Sequence, residues 1–99
     1  MPYSQITIEQ AQQIIEQGNA LLLDIRDPAS YAAGHIQNAI ALSNENLDDV
    51  VADADLDAPT IVYCYHGHSS QNAAQFLADQ RGFEQVYSLI GGFTAWPQA

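Results

Sequence analysis

Apolar positions in this chain change period several times, and each change marks the edge of an element. Ile8, Ala11, Ile14 and Ile15 recur at helical spacing behind a Thr7/Gln10 capping box, and Gly18 follows them. That pattern predicts a helix from about Ile8 to Gln17. The run Leu21-Leu22-Leu23-Asp24-Ile25 stops at Asp27-Pro28, as a buried strand does on entering a turn. A short helix from Ala29 to Ala33 ended by Gly34, a strand from Ala39 to Leu42, and an acidic helix from Leu47 to Ala54 capped by Asn44 or Asn46 are expected next. Pro59 opens a further strand, Thr60-Ile61-Val62-Tyr63-Cys64. After the segment Tyr65 to Ser70 comes a helix from Gln71 to Arg81, with Ala73, Ala74, Phe76, Leu77 and Ala78 on its apolar side and Gly82 at its C′ position. Val86 to Ile90 reads as the last strand, and Gly91-Gly92 leads into a helical turn whose Phe93 and Trp96 belong to the core.

Short strands alternating with helices predict an α/β fold, with a mostly parallel central sheet and helices on both faces. The 99 residues, 47% of them hydrophobic, suffice for one hydrophobic core, so residues 1–99 are expected to form a single domain. No internal repeat, low-complexity tract or linker divides them. Uninterrupted apolar runs last only a few residues, against the roughly 20 needed to cross a bilayer, and no membrane span is expected. Charge narrows the choice further. Arg26 and Arg81 face twelve carboxylates, for a formal charge of −10, and two arginines cannot form the basic stripe that nucleic acid requires. Asp48, Asp49, Asp53, Asp55 and Asp57 read as a solvated face that favours solubility. Met1 to Gln5 lacks the basic and apolar parts of a signal peptide, and a lone cysteine cannot close an internal disulfide; a cytoplasmic location is expected.

The chemistry concentrates at Cys64. A strand that ends in a cysteine, followed by the loop Tyr65-His66-Gly67-His68-Ser69-Ser70 and then a helix, brings a sulfur to where backbone N–H groups and the positive end of a helix dipole converge. Such a setting lowers a thiol pKa and stabilises an anionic sulfur. It also lies beyond the carboxyl end of a strand, where open α/β sheets bind their ligands. Gly67 permits the backbone to turn inward, and Ser69 or Ser70 is expected to cap the following helix.

Three segments in register carry a resemblance: Asp24-Ile25-Arg26-Asp27 with Tyr31 and Gly34-His35-Ile36, the Cys64 loop, and Gly91-Gly92-Phe93-Thr94-Ala95-Trp96. Together they resemble a rhodanese domain over nearly the whole chain, and within that family the loop is most similar to the small single-domain thiosulfate sulfurtransferases. The resemblance implies a two-step transfer without cofactor or metal. Cys64 would take the outer sulfur of thiosulfate as a persulfide, release sulfite, and pass that sulfur to cyanide or a thiol, with a thioredoxin-like protein among the plausible acceptors. Tyr65, His66, Gly67, His68, Ser69 and Ser70 would form the substrate cradle. The loop lacks the Lys or Arg usual in thiosulfate-preferring rhodaneses; His66 and His68, ordinarily neutral at pH 7, stand there instead. Weak affinity for the thiosulfate dianion is expected, with moderate salt speeding the first step by screening repulsion.

Other residues have simpler readings. Arg26 is expected to pair with Asp24 or Asp27, or to help hold the cysteine loop; Asp24 is a candidate acceptor for loop N–H groups; His35 reads as structural; Tyr65 lines the pocket or covers the sheet edge. A zinc site from Cys64, His66 and His68 lacks a fourth ligand at suitable spacing. A phosphatase with a Cys-x5-Arg loop, on a related fold, would need arginine where Ser70 stands. A non-enzymatic rhodanese-like interaction module and a persulfide carrier fed by a protein donor are the remaining alternatives; the presence of Cys64 argues against the former.

Overall fold

The computed structural model describes residues 3–97. Its elements in chain order are β1 (Ser4–Ile6), α1 (Ile8–Glu16), β2 (Leu21–Asp24), α2 (Pro28–Ala33), β3 (Ile40–Ala41), α3 (Leu47–Asp53), β4 (Thr60–Tyr63), α4 (Ser69–Gln80), β5 (Val86–Leu89) and α5 (Gly92–Ala95). The sheet runs β1-β5-β4-β2-β3, and every neighbouring pair is parallel. The α/β architecture is therefore as expected, with the sheet wholly rather than mostly parallel.

Local chemistry explains most boundaries. The Thr7 hydroxyl accepts from Gln10 N–H at 3.1 Å while the Gln10 side chain accepts from Thr7 N–H at 2.8 Å, closing the capping box of α1. Asp27 caps α2 by accepting from Ser30 N–H, and Pro28 occupies the first turn, where it forfeits no helical hydrogen bond. Helix α2 consequently starts at Pro28 and not Ala29. Asn46 takes the N-cap position of α3 but makes no side-chain cap bond. Its amide instead accepts from Ser43 N–H and donates to the Ala41 carbonyl, tying the end of β3 to the turn that follows. Strand β1 escaped prediction because Ser4 and Gln5 are exposed and only Ile6 is buried, which leaves no apolar run to betray it.

Two cores flank the sheet. On one face Leu22, Ile61, Tyr63 and Leu89 pack with Ala11 and with the partly buried Ile14, Ile15, Tyr31, Phe93 and Trp96 of α1, α2 and the α5 turn. On the other, Leu23, Val62 and Val86 pack with Ala74, Leu77 and Phe83, flanked by Val50 and Val51 of α3. Helices thus cover both faces, which is why the central strands read as nearly continuous apolar runs. Phe76 departs from its expected place: it is 42% exposed and points away from the core. The five clustered aspartates are exposed, as a solvated face requires.

Parallel register puts the ends of β2 and β4 side by side. Asp24 stands opposite Tyr63, and Ile25 N–H donates to the Tyr63 carbonyl at 3.1 Å. Arg26 folds back on Asp24 at 2.7 Å, both side chains almost fully buried (2% and 0% exposed), and its guanidinium also donates to the Gly34 carbonyl. Asp24 further accepts from Arg26 N–H at 2.8 Å. The carboxylate therefore serves its own turn and not the backbone of the cysteine loop. His35 Nδ1 donates to the Tyr31 carbonyl at 2.8 Å and the ring stacks on that of Tyr31, a structural role as expected.

Candidate active site

Cys64 follows the last residue of β4, and its backbone turns sharply because α5 holds it. Phe93 N–H donates to the Cys64 carbonyl at 2.8 Å, and Thr94 N–H to the Tyr65 carbonyl at 3.0 Å. Engaging those two carbonyls leaves the following N–H groups free to face the sulfur. Gly92 makes the approach possible: a Cβ there would lie 2.5 Å from both the Cys64 and Tyr65 carbonyl oxygens. Gly67 is required for two reasons. Its φ is +92°, and a Cβ would come within 2.9 Å of Gly91 N.

Within this clamp Sγ accepts from Gly67 N–H at 3.2 Å and from Ser70 N–H at 3.3 Å. The Ser70 hydroxyl lies 3.5 Å from the sulfur. Burial pushes the Cys64 thiol up, but the Ser70 hydroxyl and the N–H groups of Ser70, Gly67 and His66 outweigh it and hold the thiol below its ordinary pKa. The sulfur is thus prepared for negative charge by hydrogen bonds alone. Among the described residues no cation touches it.

The loop residues divide by direction. Gly67 and Ser70 are buried against the sulfur, whereas Tyr65, His66, His68 and Ser69 are exposed. Cys64, Tyr65, His66, His68 and Ser69 join Ile25 and Arg26 around an open cleft of about 330 Å³. Of the two roles anticipated for Tyr65, the pocket-lining one is seen. Its ring covers the Arg26 guanidinium at 5.0 Å and not the sheet edge, while its hydroxyl reaches Ser30. On the other side Arg26 lies 4.1 Å from the Phe93 ring centroid. Arg26 therefore pairs with Asp24 and also supports the loop through Tyr65. Neither Ser69 nor Ser70 caps α4: His68 holds the N-cap position without a side-chain bond, and both serines fall inside the first turn. The Ser70 hydroxyl is engaged elsewhere, between Sγ and Ser88. Among the described residues no three histidine, cysteine or acidic side chains gather as metal ligands would.

One contributor was not anticipated. Ser88 on β5 is 1% exposed and lies 2.8 Å from the Ser70 hydroxyl. The available signal was a hydroxyl interrupting the apolar strand Val86-Tyr87-Ser88-Leu89, since a buried polar group requires a partner.

Comparison with known proteins places relatives beside this chain. The chain matches the rhodanese-like domain over residues 7–99. It is 48% identical over 99 residues to the thiosulfate sulfurtransferase GlpE of Pseudoalteromonas translucida, covering 100% of this chain and 93% of that one. It is 53% identical over 94 residues to the GlpE of Ectopseudomonas mendocina, covering 95% and 84%. Among solved structures, a rhodanese-related protein from Thermoplasma volcanium superposes with a TM-score of 0.76 at 29% identity, over 95% of this chain and 90% of that one.

Proposed function

This chain belongs to the rhodanese-like family, and from that membership and the surroundings of Cys64 we propose that it is a thiosulfate sulfurtransferase working through a persulfide. Relatives that share about half its residues carry that activity in their names. The observation that carries the mechanism is the cradle around Sγ, two backbone N–H groups and a hydroxyl within 3.5 Å.

In the first step the Cys64 thiolate attacks the outer sulfur of thiosulfate. A new S–S bond forms, the S–S bond of thiosulfate breaks, and its electron pair leaves with sulfite. Cys64 then bears a sulfane sulfur whose terminal atom is anionic. In the second step cyanide or a thiolate attacks that atom, the persulfide bond breaks, and its electron pair returns to Sγ. Preorganised N–H donors favour the anion at each stage without needing to reorganise. Cys64 is the catalytic residue of this reading; Tyr65, His66, Gly67, His68, Ser69 and Ser70 are the substrate cradle, and residues 1–99 act as one domain. The reducing cytoplasm suits a lone free thiol.

A specific observation favours a second donor. Among the described residues the only arginine at the cleft is neutralised by Asp24, and a dianion meets no unpaired guanidinium there. A protein persulfide, which approaches with less charge, is the alternative source of sulfur, and a thiol, including one on a thioredoxin-like protein, the alternative sink. Intact mass after incubation with thiosulfate and then cyanide tests the proposal. Wild type should gain one sulfur atom and lose it to cyanide, and Cys64→Ser should gain none. An equal gain in the variant would end the mechanism; no gain in either directs the test to a protein persulfide donor.

A further inference from the structure

We propose that Ser88 is a positioning residue for sulfur transfer, acting through Ser70 as the far member of a buried hydroxyl chain that reverses direction as Cys64 Sγ gains and loses its negative charge. This rests on the persulfide reading of Cys64. Three atoms make the chain: Sγ lies 3.5 Å from the Ser70 hydroxyl, and that hydroxyl lies 2.8 Å from the Ser88 hydroxyl. Both serines are sealed from solvent, at 0% and 1% exposure. The backbone of Ser88 stands in register with Gln5 of β1 on one side and Val62 of β4 on the other, while its side chain turns to Ser70.

Each hydroxyl has one proton to donate and lone pairs to accept with. When Sγ is a thiolate, Ser70 donates to it, and the Ser70 oxygen is best served by a donor; Ser88 is within reach to be that donor. When Sγ is the inner, uncharged sulfur of the persulfide, the charge has moved to the terminal sulfur, and the Ser70 hydroxyl on Sγ turns its proton to the Ser88 oxygen. A serine at position 88 can do both, and an alanine neither. Ser88 therefore supports the free thiolate more than the loaded enzyme. The thiolate is the nucleophile of the first step and the leaving group of the second, so removing this support has opposite effects on the two steps once Cys64 is fully ionised. A less stabilised thiolate attacks faster and leaves more slowly.

The other titratable groups at the cleft are Tyr65, His66 and His68 of the loop and Arg26 of the turn after β2, whose partner Asp24 ends that strand. All are retained in the variants below.

The test uses Ser88→Ala, with Ser88→Cys as a nearly isosteric second variant whose thiol is a much weaker donor. Alkylation at position 64, followed by peptide mass against pH, reads the thiolate without any sulfur donor, so its outcome is independent of whether thiosulfate loads the enzyme. Both variants should raise the Cys64 pKa by about half a unit. Above that range, sulfur loading should quicken and discharge to cyanide should slow, shifting their ratio roughly threefold. In a Ser70→Ala background the same substitution should change nothing, because its only route to the sulfur is gone. An unchanged pKa, equal slowing of both steps, or an undiminished effect without Ser70 would overturn the proposal; equal slowing is what general loosening of the strand produces.

Discussion

The acidity of the Cys64 thiol is decided by a contest that burial loses. Desolvation raises the thiol pKa, and the Ser70 hydroxyl with the inward N–H groups of Ser70, Gly67 and His66 brings it below the ordinary value. The folded thiol thus ionises more readily than the unfolded one. Its contribution to stability is complete above the unfolded thiol range, about 8.5, and is lost as pH falls through the lowered native value. Subtracting the stability curve of Cys64→Ser from that of wild type should leave a difference that rises with pH across this window; a flat difference would show that the hydrogen bonds do not favour the anion. His66 and His68 are exposed and line the cleft beside Cys64. Replacing both with alanine should weaken thiosulfate use several-fold, on the order of 1 kcal/mol, while an uncharged sulfane-sulfur donor still loads Cys64. Equal losses with both donors would assign the histidines to the loop's shape and not to its charge.

Two junctions hold the loop, and each can be tested alone. The buried Asp24–Arg26 pair fixes the turn after β2, so Asp24→Asn leaves a guanidinium buried without its counter-charge and should cost about 3–5 kcal/mol. A loss under about 1 kcal/mol would place that arginine among ordinary surface ion pairs. At the other junction Gly92→Ala drives a methyl group against the Cys64 and Tyr65 carbonyls, and the expected result is roughly 2–4 kcal/mol of lost stability together with slower Cys64 alkylation. Unchanged Tm and alkylation would mean that α5 does not shape the sulfur pocket. The elements that carry these contacts were legible where an apolar run or a cap announced them: α1 through Thr7 and Gln10, β2 and β4 through their buried faces, and the loop through Gly67 between a strand and a helix. What stayed hidden depended on contacts distant in sequence. Ser88 acquires meaning only when β5 lies beside β4, Ser70 is drawn to the sulfur while neither it nor Ser69 caps α4, and Phe76 shares the period of α4 but is exposed.

At the scale of the molecule the charge is almost unrelieved. Of the two arginines, one is held by Asp24 and the other donates to Asp48 at 3.0 Å, so the twelve carboxylates set the long-range field. Loading from thiosulfate should therefore speed up with moderate potassium chloride, while loading from an uncharged donor should not respond. A clear fall in the thiosulfate rate would reveal a local positive field that dominates the net charge. The sheet adds a consequence of another kind. Its β1–β5 ladder joins Ser4, Gln5 and Ile6 to Tyr87, Ser88 and Leu89, closing a loop of nearly the whole chain for three residues of pairing, only one of which on the β1 side is buried. Closing so long a loop is slow and entropically costly. The first strand should accordingly dock last on the folding path and detach most readily at equilibrium, its amides exchanging with solvent ahead of the rest. Because the donors around Sγ all come from the chain between Cys64 and Ser88, such fraying can come and go while the sulfur stays caged.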